Sequence, residues 1–385
     1  IWSEDFANGI PSTWSQAGTP STALWVYRGP NTTPDNTVGS QGGRFQNAPG
    51  GVGPPISSPT ASNGFVIFDS DFYDNGGDFA QAGNGTVPTP HTGVLETDAI
   101  DLTGHPSVEV TMSSFAINFD SRMLVAVSKD GGSTFTDTVA MHSLAVNGAS
   151  ANGARVTADI TATAGNESNV VLQFIFDGTT GPAQGTPGYY FWQFDDVDIR
   201  DLPDHRLEFV ETVDAQGNVA PPVDYLPGMP GQPKYGIWNT EQLRPIGADA
   251  NIQNTGAMVQ TNVKLELQIW NAATASVMQT LSSPTTASLA PGATLDFNSL
   301  TTTSTWTPPK NDAAYLLVWR AISDSVGPGK PAMEGTDTAN IFVEDNLYGL
   351  DDREIDNFVG TNSLAQGEIT GAIVQYDFDN AVTSG

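Results

Sequence analysis

The feature that most limits what this chain can become is the period of its apolar residues. Lys264-Leu265-Glu266-Leu267-Gln268-Ile269 alternates polar and apolar, as a strand with one buried face must, because successive side chains point to opposite sides of a sheet. Val108, Val110 and Met112 share a face opposite Glu109 and Thr111, and Leu172, Phe174 and Phe176 repeat the pattern. Met123 to Val127 and Tyr315 to Trp319 are unbroken apolar runs, the signature of strands buried on both faces. No long window carries helical spacing without Gly, Pro or a Ser/Thr run breaking it. With 40 Gly and 26 Pro punctuating the strands, the expectation is an all-β chain of stacked antiparallel sheets.

The strand runs divide into three parts: residues 1–204, residues 205–345, and a tail, 346–385. Asp201-Leu202-Pro203-Asp204 marks the first boundary, and a Pro/Gly-rich stretch from Pro221 to Pro233 lies early in the second part. Gly29 to Asn63 is too long and too rich in Gly, Pro and Asn for an ordinary turn, so it reads as a surface excursion suited to binding. The tail holds one strand signal, Ile373 to Phe378. A lone strand cannot bury a face by itself, so it either adds to another sheet or opens an incomplete third unit.

Charge excludes whole classes of partner. The 385 residues carry 14 Lys and Arg against 43 Asp and Glu, a net of −29. Without a basic cluster to displace counterions, the chain is not suited to nucleic acid or to anionic lipid. No apolar run reaches the ~18–20 residues of a membrane helix. The absence of cysteine removes disulfides, thiol catalysis and thiolate metal sites. Ile1 is read as the first residue after a removed export leader.

Three segments of the first part occur in a fixed order: Trp2-Ser3-Glu4-Asp5-Phe6-Ala7-Asn8-Gly9-Ile10-Pro11-Ser12-Thr13-Trp14, Leu95-Glu96-Thr97-Asp98-Ala99-Ile100-Asp101-Leu102, and Trp192-Gln193-Phe194-Asp195-Asp196-Val197. Together they resemble the cleaved-adhesin and choice-of-anchor jelly rolls of Bacteroidetes surface proteins, which share features with animal MAM domains. In the second part, Ala250-Asn251-Ile252-Gln253-Asn254-Thr255-Gly256, then Thr261-Asn262-Val263-Lys264-Leu265 and Ala290-Pro291-Gly292, resemble the opening of the immunoglobulin-like domain that often follows. The resemblance implies a jelly-roll β-sandwich followed by an immunoglobulin-like β-sandwich with a C-terminal strand segment, in a protein exported by type IX secretion.

The resemblance also implies that the first and last strands of the jelly roll lie side by side. Glu4 and Asp5 would then face Asp195 and Asp196. Clustered carboxylates raise one another's pKa unless a cation joins them, and calcium takes 6–8 oxygen ligands, so a structural calcium is expected there. The acidic segment Asp69 to Asp78 fails the calcium-loop spacing, because Tyr73 occupies the third ligand position; it is expected to lend Asp69 or Asp71 to the same site, or else to be a solvated turn. Trp25, Tyr27, Phe72 and Tyr73, with Phe79, are candidates for stacking on sugars, against a core role for Trp25 and Tyr27. Trp14, Trp192, Trp270 and Trp319 read as core.

Ser128-Lys129-Asp130-Gly131-Gly132-Ser133-Thr134-Phe135 fits an Asp-box, here read as a hairpin turn. Enzyme signatures are missing: there is no G-x-S-x-G, no H-E-x-x-H and no phosphate loop. His91, His105, His142 and His205 are scattered in turn-like contexts. Asn31, Asn84 and Asn166 are sequons, and Asp137-Thr138-Val139, Asp324-Ser325-Val326 and Asp337-Thr338-Ala339 look like O-glycan sites. The sequence therefore points to a non-catalytic secreted or cell-surface protein for adhesion or glycan recognition, with surface glycans or proteins as partners. The alternatives are a filament subunit that self-associates through its C-terminal strand, and an accessory region of a secreted hydrolase.

Overall fold

The computed structural model describes residues 1–29, 38, 54–76, 83, 85, 87–142, 144, 148–179, 189–213, 219–226, 236–297, 305–333, 335–344, 347–348 and 374–375. The chain forms two compact units, Ile1–Leu202 and Pro203–Gly385. Both are β-sandwiches. No helix among the described residues is long and apolar enough to cross a membrane.

The first unit runs β1 Trp2–Glu4, β2 Ser15–Thr19, β3 Val26–Arg28, β4 Phe65–Asp69, α1 Ser70–Asn75, β5 Thr92–Glu96, β6 Val108–Phe119, β7 Arg122–Ser128, β8 Asp137–Ala140, β9 Ala154–Asp159, α2 Thr161–Ala164, β10 Val171–Asp177 and β11 Tyr189–Asp201. One sheet has the order β3-β4-β11-β6-β9, with β1 also on β11; the other has the order β2-β5-β10-β7-β8. β4 pairs with the first half of β11 and β1 with the second half, so both occupy one side of it while β6 takes the other.

Between the sheets the alternation gathers Val108, Val110 and Met112 of β6, Leu172, Phe174 and Phe176 of β10, and Trp192, Phe194, Val197 and Ile199 of β11. Aromatic rings fill it edge to face: Trp25 meets Trp192 and Phe194 at 5.4 and 5.1 Å. Phe68 stacks on Phe176 at 4.8 Å, and only a glycine at position 93 leaves room for it, since a Cβ there would lie 2.0 Å from the Phe68 ring. A second, smaller apolar cluster lies on the other face of the β4-β11-β6 sheet: Ile56, Phe65, Ile67, Phe115, Ile117, Tyr190 and Phe191.

The second unit runs β12 Leu207–Phe209, β13 Thr212–Val213, β14 Val219–Ala220, β15 Val223–Asp224, β16 Ile237–Asn239, β17 Asp249–Asn254, β18 Gln260–Asn271, β19 Ser276–Ser282, β20 Thr286–Leu289, β21 Thr294–Phe297, β22 Ala313–Ile322, β23 Gly335–Glu344, β24 Leu347–Tyr348 and β25 Val374–Gln375. β17 lies between β21 on one side and β12 with β15 on the other, and the facing sheet has the order β16-β23-β22-β18-β19. This is the two-sheet order of an immunoglobulin-like sandwich. Asn254 is fully buried and ties its turn together: its Nδ2 donates to the Met258 and Leu289 carbonyls at 2.9 Å, and its Oδ1 accepts from Gly256 N.

Three strand-level expectations change. Tyr315 to Trp319 is covered on one face only: Tyr315, Leu317 and Trp319 are buried, while Leu316 and Val318 are half-buried on the outer face. Trp270 is not a core residue: it follows core-facing Ile269 by one step on β18, so simple alternation puts it on the outer face, opposite Val277. In the tail, Val374–Gln375 pairs with Leu347–Tyr348, and the other residues of the Ile373 to Phe378 signal lie outside the described residues.

Candidate functional site

The outer face of the first unit's larger sheet is divided in two. Register fixes its contents, because residues directly opposite on antiparallel strands share a face. One half is the apolar cluster above. The other half is polar and spans β1, β11, β6 and β9. Asp195 faces Ser113, which faces Arg155; Asp198 lies between Ser3 and Thr111, which faces Thr157; Arg200 faces Glu109, which faces Asp159.

The charged groups there are held in place. Glu109 is fully buried and accepts from Arg200 Nε at 2.7 Å. Arg155 donates to the Asp196 carbonyl at 2.7 Å and pairs with Asp198. Burial, with the neighbouring Arg200 guanidinium, lowers the pKa of Arg155. Exposed Ser3, Arg155, Thr157, Asp159 and Arg200 and half-buried Asp198 thus present donors and acceptors on the outer face of the sheet.

At the junction of the halves, the segment 54–63 crosses the sheet. Gln193 Nε2 donates to the Pro54 carbonyl at 3.1 Å and Asn152 Nδ2 to the Pro55 carbonyl at 3.0 Å. The Ser58 and Thr60 hydroxyls donate to Asp195, and Thr60 also to Asp196. Asp196 is the extra residue of a β-bulge, with φ 50°. Burial pushes the Asp195 carboxyl up to about 6, against the lowering effect of its Ser58 and Asp196 N–H bonds.

The acidic residues expected to share a calcium do not gather into one cage. β1 does lie beside β11, but Glu4 is in register with Val197, a core-facing residue, whereas Asp195 and Asp196 bond hydroxyls on the outer face. Glu4 Oε1 accepts from Phe6 N at 2.7 Å, which leaves it capping its own turn. Asp5 is exposed, accepts from Ala7 N and reaches Asn63. Asp69 pairs with Phe191, four residues along β11 from Asp195, or roughly 13 Å at strand rise. Among the described residues, no three His, Cys, Asp or Glu side chains come together to hold a metal ion. Hydroxyl and amide donors bond Glu4, Asp195 and Asp196 separately, while burial and Asp196 still raise the pKa of the Asp195 carboxyl, and burial and Asp5 that of Glu4.

From Asp69 to Gly76 the acidic segment is a short capped helix, not a solvated turn; Gly77 and Asp78 lie outside the described residues. Asp69 caps α1 through a bond from Phe72 N, Asp71 accepts from Asn75 Nδ2 at 3.0 Å, and Asp74 accepts from Gly83 N and Thr89 N at 2.8 Å each. The stacking candidates separate. Trp25 and Tyr73 are core residues, Tyr73 donating to the Leu24 carbonyl at 2.7 Å, and a buried ring has no face to offer a sugar. Tyr27 and Phe72 are half-buried; the Tyr27 ring lies against Gly64 and its hydroxyl donates to Asn63 O at 2.8 Å. Phe79 lies outside the described residues, as do Asn31 and Asn84; Asn166 follows α2.

Two Ser–His contacts, invisible in the sequence because their partners are 21 and 28 residues apart, have structural surroundings. His91 Nε2 donates to the Val87 carbonyl at 2.6 Å, so its Nδ1 accepts from Ser70 Oγ at 2.7 Å, with both residues fully buried. Ser114 Oγ accepts from Trp192 Nε1 at 2.9 Å and meets His142 Nε2 at 2.7 Å; burial lowers the His142 pKa to about 4. The Asp-box closes the β7–β8 hairpin. Asp130 accepts from Thr134 N, Thr134 Oγ1 and Ser128 Oγ, which hold its carboxyl down to about 2, while Gly131 and Gly132 take φ 71° and 84°.

No family model matches the chain, and no curated relative does. Among solved structures it is similar to a Bacteroides uniformis β-glucuronidase, at 11% identity and TM-score 0.34 over 65% of this chain, and spans 26% of that enzyme's length. It is also similar to the K3 and K1 cleaved adhesin domains of Lys-gingipain from Porphyromonas gingivalis W83. These show 19% and 20% identity and TM-scores of 0.31 and 0.30, over 52% of this chain and 98% and 97% of those domains. Likeness at this level carries no functional argument.

Proposed function

We propose that the protein is a non-catalytic, secreted or surface-displayed adhesive module, and that the polar half of the first unit's outer face recognises a hydroxyl-rich surface glycan. The observation that carries this reading is the fixed Arg155–Asp198 and Arg200–Glu109 array, spread over the three adjacent strands β11, β6 and β9 with its side chains already positioned. A ligand meeting preset donors loses less ordering entropy there than on free side chains. The enclosed surroundings of Ser70–His91, and of the Ser114 hydroxyl between Trp192 and His142, support a packing role for both pairs. Rigid display on a sandwich suits weak contacts made many times over.

The test is a glycan array probed with the intact chain and with Arg155→Gln plus Arg200→Gln. Binding that disappears in the double variant, with the fold retained by circular dichroism, supports the site. A blank array for the wild-type chain removes glycan recognition.

A further inference from the structure

The second unit carries a different kind of surface. Among the described residues, β19 is the edge of its sheet, and its ladder partner is β18. An edge strand exposes a row of unpaired backbone groups, which proteins normally guard with Lys, with Pro or with inward charges. β19 has none of these: its sequence is Ser276-Val277-Met278-Gln279-Thr280-Leu281-Ser282. Every residue but Leu281 is exposed, and Val277 and Met278 are 43% and 44% exposed. The strand sits inside a run from Leu267 to Leu295, 29 residues without a single charge, in a chain whose net charge is −29. The bulge confines its irregularity to Met278, and Gln279 to Ser282 pair regularly with Ile269 to Glu266.

We propose that β19 is a self-association edge, at which two copies of this chain pair their β19 strands antiparallel across a two-fold axis. The charge distribution selects a second copy as the occupant. Like charge opposes the approach of two such acidic chains over most of their surface, and this neutral strand is where they meet without it. The side chains agree. Centring the pair on Thr280 sets it beside the Thr280 of the second copy on the outer face. It also sets Gln279 beside the Leu281 of the second copy on the core-facing side. A two-fold contact of this kind repeats each interaction and joins two six-strand sheets into one. It also doubles the number of adhesive faces per particle, which raises avidity without any new ligand contact. The pairing does not depend on the glycan site of the first unit.

The experiment is sedimentation equilibrium of the full chain over a range of protein and salt concentrations. The mass should rise toward twice that of the chain with concentration, and at lower concentration as salt screens the charge, the Debye length being about 8 Å at physiological ionic strength. Thr280→Lys places two ammonium groups opposite each other and should weaken dimerisation roughly tenfold or more. Gln279→Lys, also exposed, should act in the same direction if Thr280→Lys disturbs folding. Thr338→Lys adds the same charge at an exposed position of β23, away from this edge, and should leave the dimer intact. A monomer under all conditions overturns the proposal. So does a dimer that survives both edge lysines, as it would if another segment of the chain made the contact, or one that Thr338→Lys disrupts equally.

Discussion

The outer face of the first sandwich and the β19 edge of the second expose their polar and backbone groups in opposite ways. On the first, almost every exposed donor and acceptor is fixed by a neighbour: Arg200 by Glu109, Arg155 by Asp196 and Asp198, and the 54–63 segment by Gln193, Asn152 and Asp195. On the second, a whole strand edge is uncharged and unguarded. A preset charged surface selects a ligand by where its hydrogen bonds point. A neutral edge offers only regular backbone pairing, so it suits a partner that brings a strand. Two sandwiches of similar topology class can thus be specialised by what their outer residues leave unsatisfied.

The largest effect that would sharpen this contrast lies under the first face. Phe194 is fully buried and touches Phe6, Trp25, Phe174 and Trp192. Phe194→Ala should cost about 3–5 kcal/mol in chemical denaturation. A loss under about 1 kcal/mol would mean that the aromatic core does not support the face.

A smaller effect tests the junction through pH. Folding raises the Asp195 pKa from its ordinary 3.8 to about 6. The folded state therefore holds the proton more tightly, and this contribution to stability is lost as pH rises between those values. His142 acts in the opposite direction: its folded pKa, near 4, lies below its ordinary 6.5, so its contribution is lost as pH falls. Asp195→Asn keeps an acceptor for Ser58 and Thr60 but removes the titration. Its Tm relative to wild type should climb as pH is raised from 4 to 7. A difference that stays flat would show that the carboxyl is not held in the buried, raised state.

The smallest expected effect is that of chelation. Glu4 sits on the core side and Asp195 and Asp196 on the outer side, each with its own hydrogen-bond donor. Adding EDTA should therefore leave Tm unchanged. A fall in Tm that calcium reverses would mean that the first and last strands share an ion after all.

Much of the fold was legible in the sequence, because period-two alternation is a local property. Val108 to Met112, Leu172 to Phe176 and Leu265 to Ile269 each announce a strand and its buried side without reference to the rest of the chain. The Asp-box turn was legible for the same reason, all its bonds closing within seven residues. The site was less legible. Glu109 and Thr111 could be seen to lie opposite the core, but Arg155 and Arg200 come from strands 40 and more residues away in the chain, and only sheet order makes them neighbours. The grouping expected around calcium depended on that same level. Motif order predicted that Glu4 and Asp195 would lie on adjacent strands, and they do, but the face on which each side chain falls depends on register. The Asp195–Asp198 bulge shifts that register by one residue. Trp270 is out of the core for a local reason: it follows core-facing Ile269 by one residue, and the alternation of β18 puts it on the outer face.

The sequence by itself determined that the chain is all-β, where several of its core strands lie and that it is strongly acidic. The tertiary structure decided which strands are neighbours, which face each polar residue occupies, and that a neutral strand ends the second sheet. The physical reason is that alternation is written into each strand, whereas pairing, bulges and edges are settled between segments far apart in the chain.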